Sequence, residues 1–483
     1  MAAAKEAKQK NPYLHFIIAV IITALLWIFL KPTNGLTEIG VRTVAVTVGT
    51  LYLWLTVNTH WTSIFFMGLL VMVGAMKPNE VWAGSMGHFS VISMIVFMIL
   101  NYALQQTGVI DLVCQWFITR KIVKGRPYVF LAMFFASMLV LGMFMDNLSL
   151  AVIYVGIARV LAEKLGVEKG NSFYTCMFIG VIWIDIVISI ASPIAHAPCL
   201  ILMGLMEAQL GIAVSYAQWF AAGVPFAIVM FLVIMLVVNI WKPDKSVYDS
   251  YDADEERKNM PKLSRQGKIS LVVFIVMLFL IIVPELLKNS GGFWAYFSGI
   301  GTIVIGILAV TVLCVIHIDR KPVLNMPDAL KTLPMGAIIF AGVVCVMSTP
   351  ITSELTGINV WMSTVLQSVF SGMSPILVTI ILSVVALIMT NFLSNVVTMT
   401  LFFQIGVALM SGGDMNMGAF SLIIGFVAAM ACLTPAACAP MPLIFGPGHV
   451  TMGNTLRPNI IFLVLALIVS LGIGFFYVPM ILG

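Results

Sequence analysis

Two pairs of short polar motifs interrupt an otherwise apolar chain. One pair is "FMDNLSL" at 144–150 and "FLSNVVT" at 392–398; the other is "SPIAHAP" at 192–198 and "TPAACAP" at 434–440. Asn147 and Asn395 stand 248 residues apart, the proline motifs 242 apart, and in each half the asparagine precedes the prolines by about 40 residues. A proline removes a backbone donor and clashes with the carbonyl four residues earlier. Each Pro-Ala motif therefore predicts an unwound segment with free carbonyls beside helix ends. Free carbonyls coordinate a cation, and helix N-termini attract an anion. The chemistry these residues offer is ion binding, with each motif supplying half a site. Ser192, Pro193 and His196 belong to one half, Thr434 and Pro435 to the other, beside tips at Asn147 and at Ser394-Asn395. For a single motif the plainer reading is a proline kink made for packing; recurrence in order argues against it.

The elements that hold these motifs must cross a membrane. Of 483 residues, 61% are hydrophobic and 9% charged, far too little polar surface for a soluble chain of this length. Long apolar runs occupy 14–30, 41–57, 61–76, 90–110, 219–241, 270–287, 293–316, 335–349 and 459–481. They are continuous, without inside/outside alternation, so helices are expected and a β-barrel is not. The first run lacks a small-residue cleavage site and reads as a retained anchor. The seven cysteines show no paired spacing, which argues against disulfides and zinc.

Charge placement predicts a cytoplasmic N-terminus in a multi-pass protein of the cell membrane. The segments 1–13, 118–127, 159–170, 242–268, 317–331 and 448–458 carry 21 of the 25 Lys and Arg residues. The net charge of +5 is thus a topology signal and does not point to nucleic acid. Basic residues bracket the segment around Asn147 on both sides, whereas no Lys or Arg occurs from 332 to 456 around Asn395. The two segments then face opposite sides, the pattern of inverted repeats in secondary transporters. The expected organisation is a tail and first helix at 1–40, a first repeat at 41–241, a cytoplasmic linker at 242–268 and a second repeat at 269–483. Within the repeats, re-entrant hairpins are expected at about 127–165 and 375–408, and broken helices at about 174–211 and 419–447.

Three titratable residues carry alternatives. Asp146 reads as a sodium ligand, as a proton carrier, or as an N-cap of the second hairpin leg. Asp185 lies about two helical turns, roughly 10 Å, before Ser192, and its repeat mate is Val427. It reads as a cation or proton site, or as a buried acid satisfied by a neighbouring helix. His196, whose mate is Cys438, reads as a substrate contact, a titrating group or a histidine bonded to a neighbour.

The chain resembles the divalent anion:sodium symporter family of the ion-transporter superfamily. The likeness runs through most of its length, including "GLTEIGVRTVAVTVGTLYLWLT" (35–56), "ALQQTGVIDLVCQWFI" (103–118) and the basic segment before the first hairpin. That resemblance implies an all-α membrane protein of about 11 transmembrane helices plus two re-entrant hairpins, with a dimerising scaffold domain and an elevator-like transport domain. It implies that the tips, Asp146-Asn147-Leu148 and Ser394-Asn395-Val396, hold substrate carboxylates and sodium. The broken-helix elements carried over are Ser192, Pro193, Ala195 and Thr434, Pro435, Ala437. The sequence departs from the family at Leu148 and Val396, which replace tip threonines, and at Asp146, which replaces a serine. Ser149 and Thr398 stand nearby as substitute hydroxyls.

The expected function is secondary transport of a small organic anion, di- or tricarboxylate-like, coupled to sodium or protons or run as exchange. Sodium is the expected coupling ion, with no other cofactor. The tips and breaks are expected to bind substrate through Asn147, Leu148, Ser149, Pro193, His196, Ser394, Asn395, Val396, Thr398 and Pro435. The coupling ion is expected at Asp146, Asn147, Asp185, Ser192, Ser394, Asn395 and Thr434. The alternatives are a sodium/proton antiporter using Asp146 and Asp185, and an inorganic-anion or metalloid permease. No polar catalytic set points to an enzyme.

Overall fold

A computed structural model describes residues 12–482, apart from 59, 146, 165–170, 195, 245–247, 249–252, 259–261, 371, 411–412, 435–436, 439, 442–443 and 445–449. It is helical throughout, with one two-residue hairpin pairing β1 (His317–Ile318) and β2 (Lys321–Pro322). The first half comprises α1 (Pro12–Phe29), α2 (Glu38–Thr56), α3 (Trp61–Met72), α4 (Pro78–Ser85), α5 (Phe89–Gln106), α6 (Val109–Ile118), α7 (Pro127–Gly142), α8 (Asn147–Lys164), α9 (Ser172–Ala191), α10 (Ala197–Leu210) and α11 (Tyr216–Trp241). After the short α12 (Ala253–Lys258) come α13 (Arg265–Leu287), α14 (Gly292–Ile300), α15 (Thr302–Val315), α16 (Met326–Thr332), α17 (Met335–Thr352) and α18 (Ile358–Phe370). The chain closes with α19 (Pro375–Thr390), α20 (Asn395–Met410), α21 (Met417–Ala429), α22 (Met452–Phe476) and α23 (Pro479–Leu482).

Among the described residues, six helical segments are long and apolar enough to cross a membrane alone, and eight if two bent pairs each count as one. One bent pair refines the sequence reading. The apolar run 293–316 is not one straight helix, because α14 and α15 meet at 86°. Gly301 makes the corner at φ +82°, a conformation that side chains with a Cβ rarely adopt. The other pair, Met326–Thr332 with Met335–Ile351, bends by 68° at Leu333-Pro334.

The helices around the polar motifs are shorter. α7, α19 and α20 have 16 residues each, about 24 Å, and so fall short of roughly 30 Å of hydrocarbon. α7 and α19 both begin at a proline in the first helical turn, Pro127 and Pro375, a position that wastes no hydrogen bond. These prolines share the 248-residue offset of the asparagines. α9 and α21 begin alike, each capped by an asparagine side chain: Asn171 accepts from the Phe173 N–H at 2.7 Å, and Asn416 from the Ala419 N–H at 2.7 Å. Every residue of α9 from Phe173 to Ala191, and of α21 from Gly418 to Ala429, is buried. At Gly425 of α21 an added Cβ would lie 2.5 Å from the Leu202 side chain of α10 and 3.4 Å from the Ile190 side chain of α9. Helices α9 and α21 form the centre of the core, and both end at the polar breaks.

The linker differs from a fully solvated segment. Residues 265–268 already form the first turn of α13. Upstream, Tyr248 is 2% exposed, packs its ring 5.3 Å from that of Phe130, and donates from Oη to the Val123 carbonyl at 2.6 Å. The Asp244 N–H donates to Ser172 Oγ at 2.7 Å, and Lys124 Nζ pairs with Asp254 at 2.9 Å. The linker is thereby tied to the bases of α7 and α9.

Candidate functional site

In the second half, α19 stops at Thr390 and the chain turns through 391–394 into α20. Asn391, absent from the sequence reading, organises this turn and is fully buried. Its Nδ2 donates to the carbonyls of Leu387 at 2.8 Å and Met430 at 3.3 Å. Its Oδ1 accepts from the N–H groups of Cys432 and Leu433, each at 2.9 Å. Helix α21 has just ended, so those two N–H groups lack intrahelical partners, and the carboxamide supplies them. Asn395, the first residue of α20, donates from Nδ2 to the Ala429 carbonyl at 3.2 Å, and its Oδ1 accepts from Thr390 Oγ1 at 3.1 Å. Thr390 also reaches the Ala428 carbonyl.

The corresponding turn in the first half carries different side chains. Asn147 opens α8 as Asn395 opens α20. Its Nδ2 donates at 3.2 Å to Oδ2 of Asp185, an acidic side chain 1% exposed in the middle of α9. Asn147 thus meets an acidic side chain where Asn395 meets a backbone carbonyl. The breaks match more closely. Ser192 Oγ donates to the Met143 carbonyl, and Thr434 Oγ1 donates to the Asn391 carbonyl at 2.7 Å. Met143 and Asn391 each lie four residues before a tip asparagine, so both breaks are latched to their tips by a hydroxyl at the same point.

α9 ends because Ser192 is extended, at φ −131° and ψ 136°, ahead of Pro193; Pro198 then sits in the first turn of α10. The Ile190 carbonyl freed by this break accepts from Trp219 Nε1 at 3.0 Å. Ser192 Oγ also accepts from the Ile194 N–H at 3.2 Å. His196 stands at the N-cap of α10, fully buried, and among the described residues neither ring nitrogen has a well-formed hydrogen bond. Pro193 is buried beside it. Thr398, one turn into α20, is likewise buried with its hydroxyl unpaired. A buried polar group without a partner is uncommon in a folded protein, so His196 and Thr398 are the candidate residues here with hydrogen-bonding capacity left for a ligand. Ser394 is exposed on the turn and Val396 is half-buried. Leu148 and Ser149 lie on the first turn of α8. Asp146, Ala195 and Pro435 lie outside the described residues.

The halves are joined through α9 and α22. Trp183 Nε1 donates to Asn459 Oδ1 at 2.9 Å, and Asn459 Nδ2 donates to the Cys432 carbonyl at 2.6 Å, which carries the link into the second break. Asn459 was legible only as a polar residue at the edge of the last apolar run. Among the described residues no cluster of three or more His, Cys, Asp or Glu side chains could hold a metal ion. The oxygens present are those of carbonyls, carboxamides, hydroxyls and the Asp185 carboxyl, hard ligands that suit a group 1 cation, while the hydroxyl and amide hydrogens are what an anion would accept.

The sequence model of the sodium:sulfate symporter transmembrane region matches residues 10–483. The chain belongs to that family. Among relatives of this sodium:sulfate symporter family, the sodium-dependent dicarboxylate transporter SdcS of Staphylococcus saprophyticus is 23% identical over 500 residues, covering 99% of this chain and 94% of the relative. The protein of the same description from Staphylococcus aureus strain USA300 is 21% identical over 514 residues, with the same coverage of both chains. The family assignment makes the protein a membrane transporter and not an enzyme.

Proposed function

We propose that the protein is a sodium-coupled carrier of a small dicarboxylate-like anion, working by an elevator-like exchange between two faces of the cell membrane. The observation that carries this reading is the matched latch, Ser192 to Met143 and Thr434 to Asn391, each joining a broken helix to a hairpin tip. Equivalent bonds at similar offsets, 242 residues for the hydroxyls and 248 for the carbonyls, support two structural repeats, and the opposed charge bias around the two tips supports their inversion. Hairpin legs of about 24–27 Å, shorter than the hydrocarbon thickness, suit turns that stop inside the bilayer, where buried polar groups are tolerated because protein surrounds them. On this reading the short apolar helices pair up into roughly 11 spans plus two hairpins, and the N-terminus is cytoplasmic. The relatives' sodium dependence and dicarboxylate substrates point to the same cargo.

Sodium bound among tip and break oxygens orders both hairpins, and the ordered N-termini of α8, α10 and α20 then receive the anion, with His196 and Thr398 as neutral hydrogen-bonding partners. Coupling requires that sodium bind the substrate-ready arrangement better than the empty one. Because Asp185 holds Asn147, a second reading stands beside the first: a proton at Asp185 takes the part of one sodium.

Uptake of labelled succinate into proteoliposomes tests the assignment, with sodium compared against potassium outside. Saturable uptake that requires sodium is expected, and Asn147→Ala and Asn395→Ala are each expected to abolish it while the protein still folds and inserts. Wild-type rates in both variants would sink the tip assignment. Sodium-driven proton movement without any organic anion would replace this reading by the antiporter.

A further inference from the structure

Away from the tips, α2, α17 and α18 face α20 across a cavity of about 300 Å³. Its lining is almost wholly apolar, with Leu51, Ile351 and Leu401 among its walls. Thr47 and Thr400 also line it, and the Thr400 hydroxyl is bonded to the Val396 carbonyl. Gln404 and Trp54 differ: each lines the cavity, each is 5% exposed, and among the described residues neither the Gln404 carboxamide nor Trp54 Nε1 has a hydrogen-bond partner. A buried carboxamide with all of its bonding capacity unused is rare in folded proteins. Water is a poor remedy, because apolar cavities stay dry and a bilayer interior supplies none. The rim includes Val48, 38% exposed, and Val365, 41% exposed, so the cavity meets the surface at apolar side chains. Such an opening admits molecules dissolved in hydrocarbon.

We propose that this cavity binds an amphipathic ligand that arrives from the bilayer: a hydrocarbon chain headed by an uncharged carboxylic acid that pairs with the Gln404 carboxamide. A protonated carboxyl presents one donor and one acceptor side by side, matching the amide's acceptor and donor. A carboxylate has no donor for Gln404 Oε1 and loses far more hydration on entry. The Trp54 N–H is a further donor in the same wall. The volume lies at the small end of the roughly 300–1,000 Å³ typical of ligand sites, which favours a medium-length chain. The site has a mechanical consequence that rests on the transport reading above. Helix α20 carries Asn395 at its first turn, so a chain wedged between α20 and its neighbours holds the second tip in place and slows uptake.

The test is photolabelling of the full-length protein in liposomes with a diazirine analogue of decanoic acid. Label is expected on peptides covering 44–54 and 397–405, at least about fivefold above lipid-facing α13, a difference of roughly 1 kcal/mol in occupancy. Unlabelled decanoic acid should displace it and methyl decanoate, which cannot donate, should not. Gln404→Met keeps the side chain's length without its amide; it should lower labelling about fivefold and leave Tm unchanged or higher, since it deletes unpaired groups. Val48→Phe, which narrows the rim, should act likewise. Label spread evenly over lipid-facing helices, or undiminished in both variants, overturns the proposal. Labelling is read without uptake, so its failure is separable from failure of the transport reading.

Discussion

Replacing Asn391 by Met gives the second half the residue that the first half has at the same offset, Met143, in a bulkier side chain that lacks the carboxamide. The structure sets the cost. The Cys432 and Leu433 N–H groups lose their acceptor, and the Leu387 and Met430 carbonyls lose a donor. Leaving a buried donor unpaired costs about 1–3 kcal/mol, so two of them cost about 2–6 kcal/mol. The carbonyls add little, because Leu387 sits within a helix and carbonyls tolerate one open lone pair. The loss falls on the 430–434 break rather than on the whole bundle. The expected result of Asn391→Met is therefore local opening, with amide exchange at 432–433 faster by roughly 10²-fold at a cost near 3 kcal/mol. Hydrogen–deuterium exchange on the reconstituted protein reads that segment directly, and sodium-dependent uptake should fall with it. Unchanged exchange at 432–433 together with unchanged uptake would refute the argument that this carboxamide holds the break in place.

Other substitutions probe the remaining contacts. Asp185→Asn keeps an acceptor for Asn147 but removes the charge, and is expected to weaken apparent sodium affinity about tenfold, or roughly 1.4 kcal/mol; Asp185→Leu strands the Asn147 amide and should abolish uptake, and normal sodium titrations in both would remove Asp185 from the coupling site. Tyr248→Phe deletes one hydrogen bond for about 1 kcal/mol, whereas Tyr248→Ala also empties a buried ring site for about 3–5 kcal/mol; limited proteolysis of the linker should rank them in that order. The hydrogen-bonded Lys124 ammonium holds the Asp254 carboxyl below its ordinary range. A lowered folded-state value means that this tether is present above the ordinary carboxylate range and is lost as pH falls through the folded value. Linker proteolysis by an acid-tolerant protease should thus rise at the acid end in the wild type, while Lys124→Gln is already fast at neutral pH.

Much of this architecture was legible in the sequence because hydrophobic length and proline placement are local signals. Short helices fill the expected segments of about 127–165 and 375–408, and α9 ends at Ala191 directly before its Pro-Ala motif, whereas α21 ends at Ala429, five residues before its own. What was missed depends on tertiary contacts. Asn391 aligns with Met143, a residue without its hydrogen-bonding groups, and its importance comes from the open N–H groups at 432 and 433, which sequence spacing does not reveal. Asp185 aligns with Val427, yet it meets Asn147 as the Ala429 carbonyl meets Asn395. A side chain and a backbone atom performing one task share no sequence signature. The bend at Gly301 was missed because hydropathy registers how greasy a run is and carries nothing about its direction.

That bend fixes a plane. Beyond the corner, α14 exposes Phe293 (54%) and Tyr296 (66%), and Trp294 packs against Phe293 and Phe279. Glu285 clasps this short helix back to the end of α13 by accepting from Ser298 Oγ at 2.6 Å and from Lys288 at 2.9 Å. Aromatic side chains of this kind settle at the boundary between headgroups and acyl chains. A nine-residue helix lying nearly crosswise to its neighbour therefore acts as a float, setting the depth at which the α13–α15 body rides in the bilayer. Any other part of the molecule that shifts along the membrane normal does so against that waterline, and a thicker or thinner bilayer changes the distance it must travel.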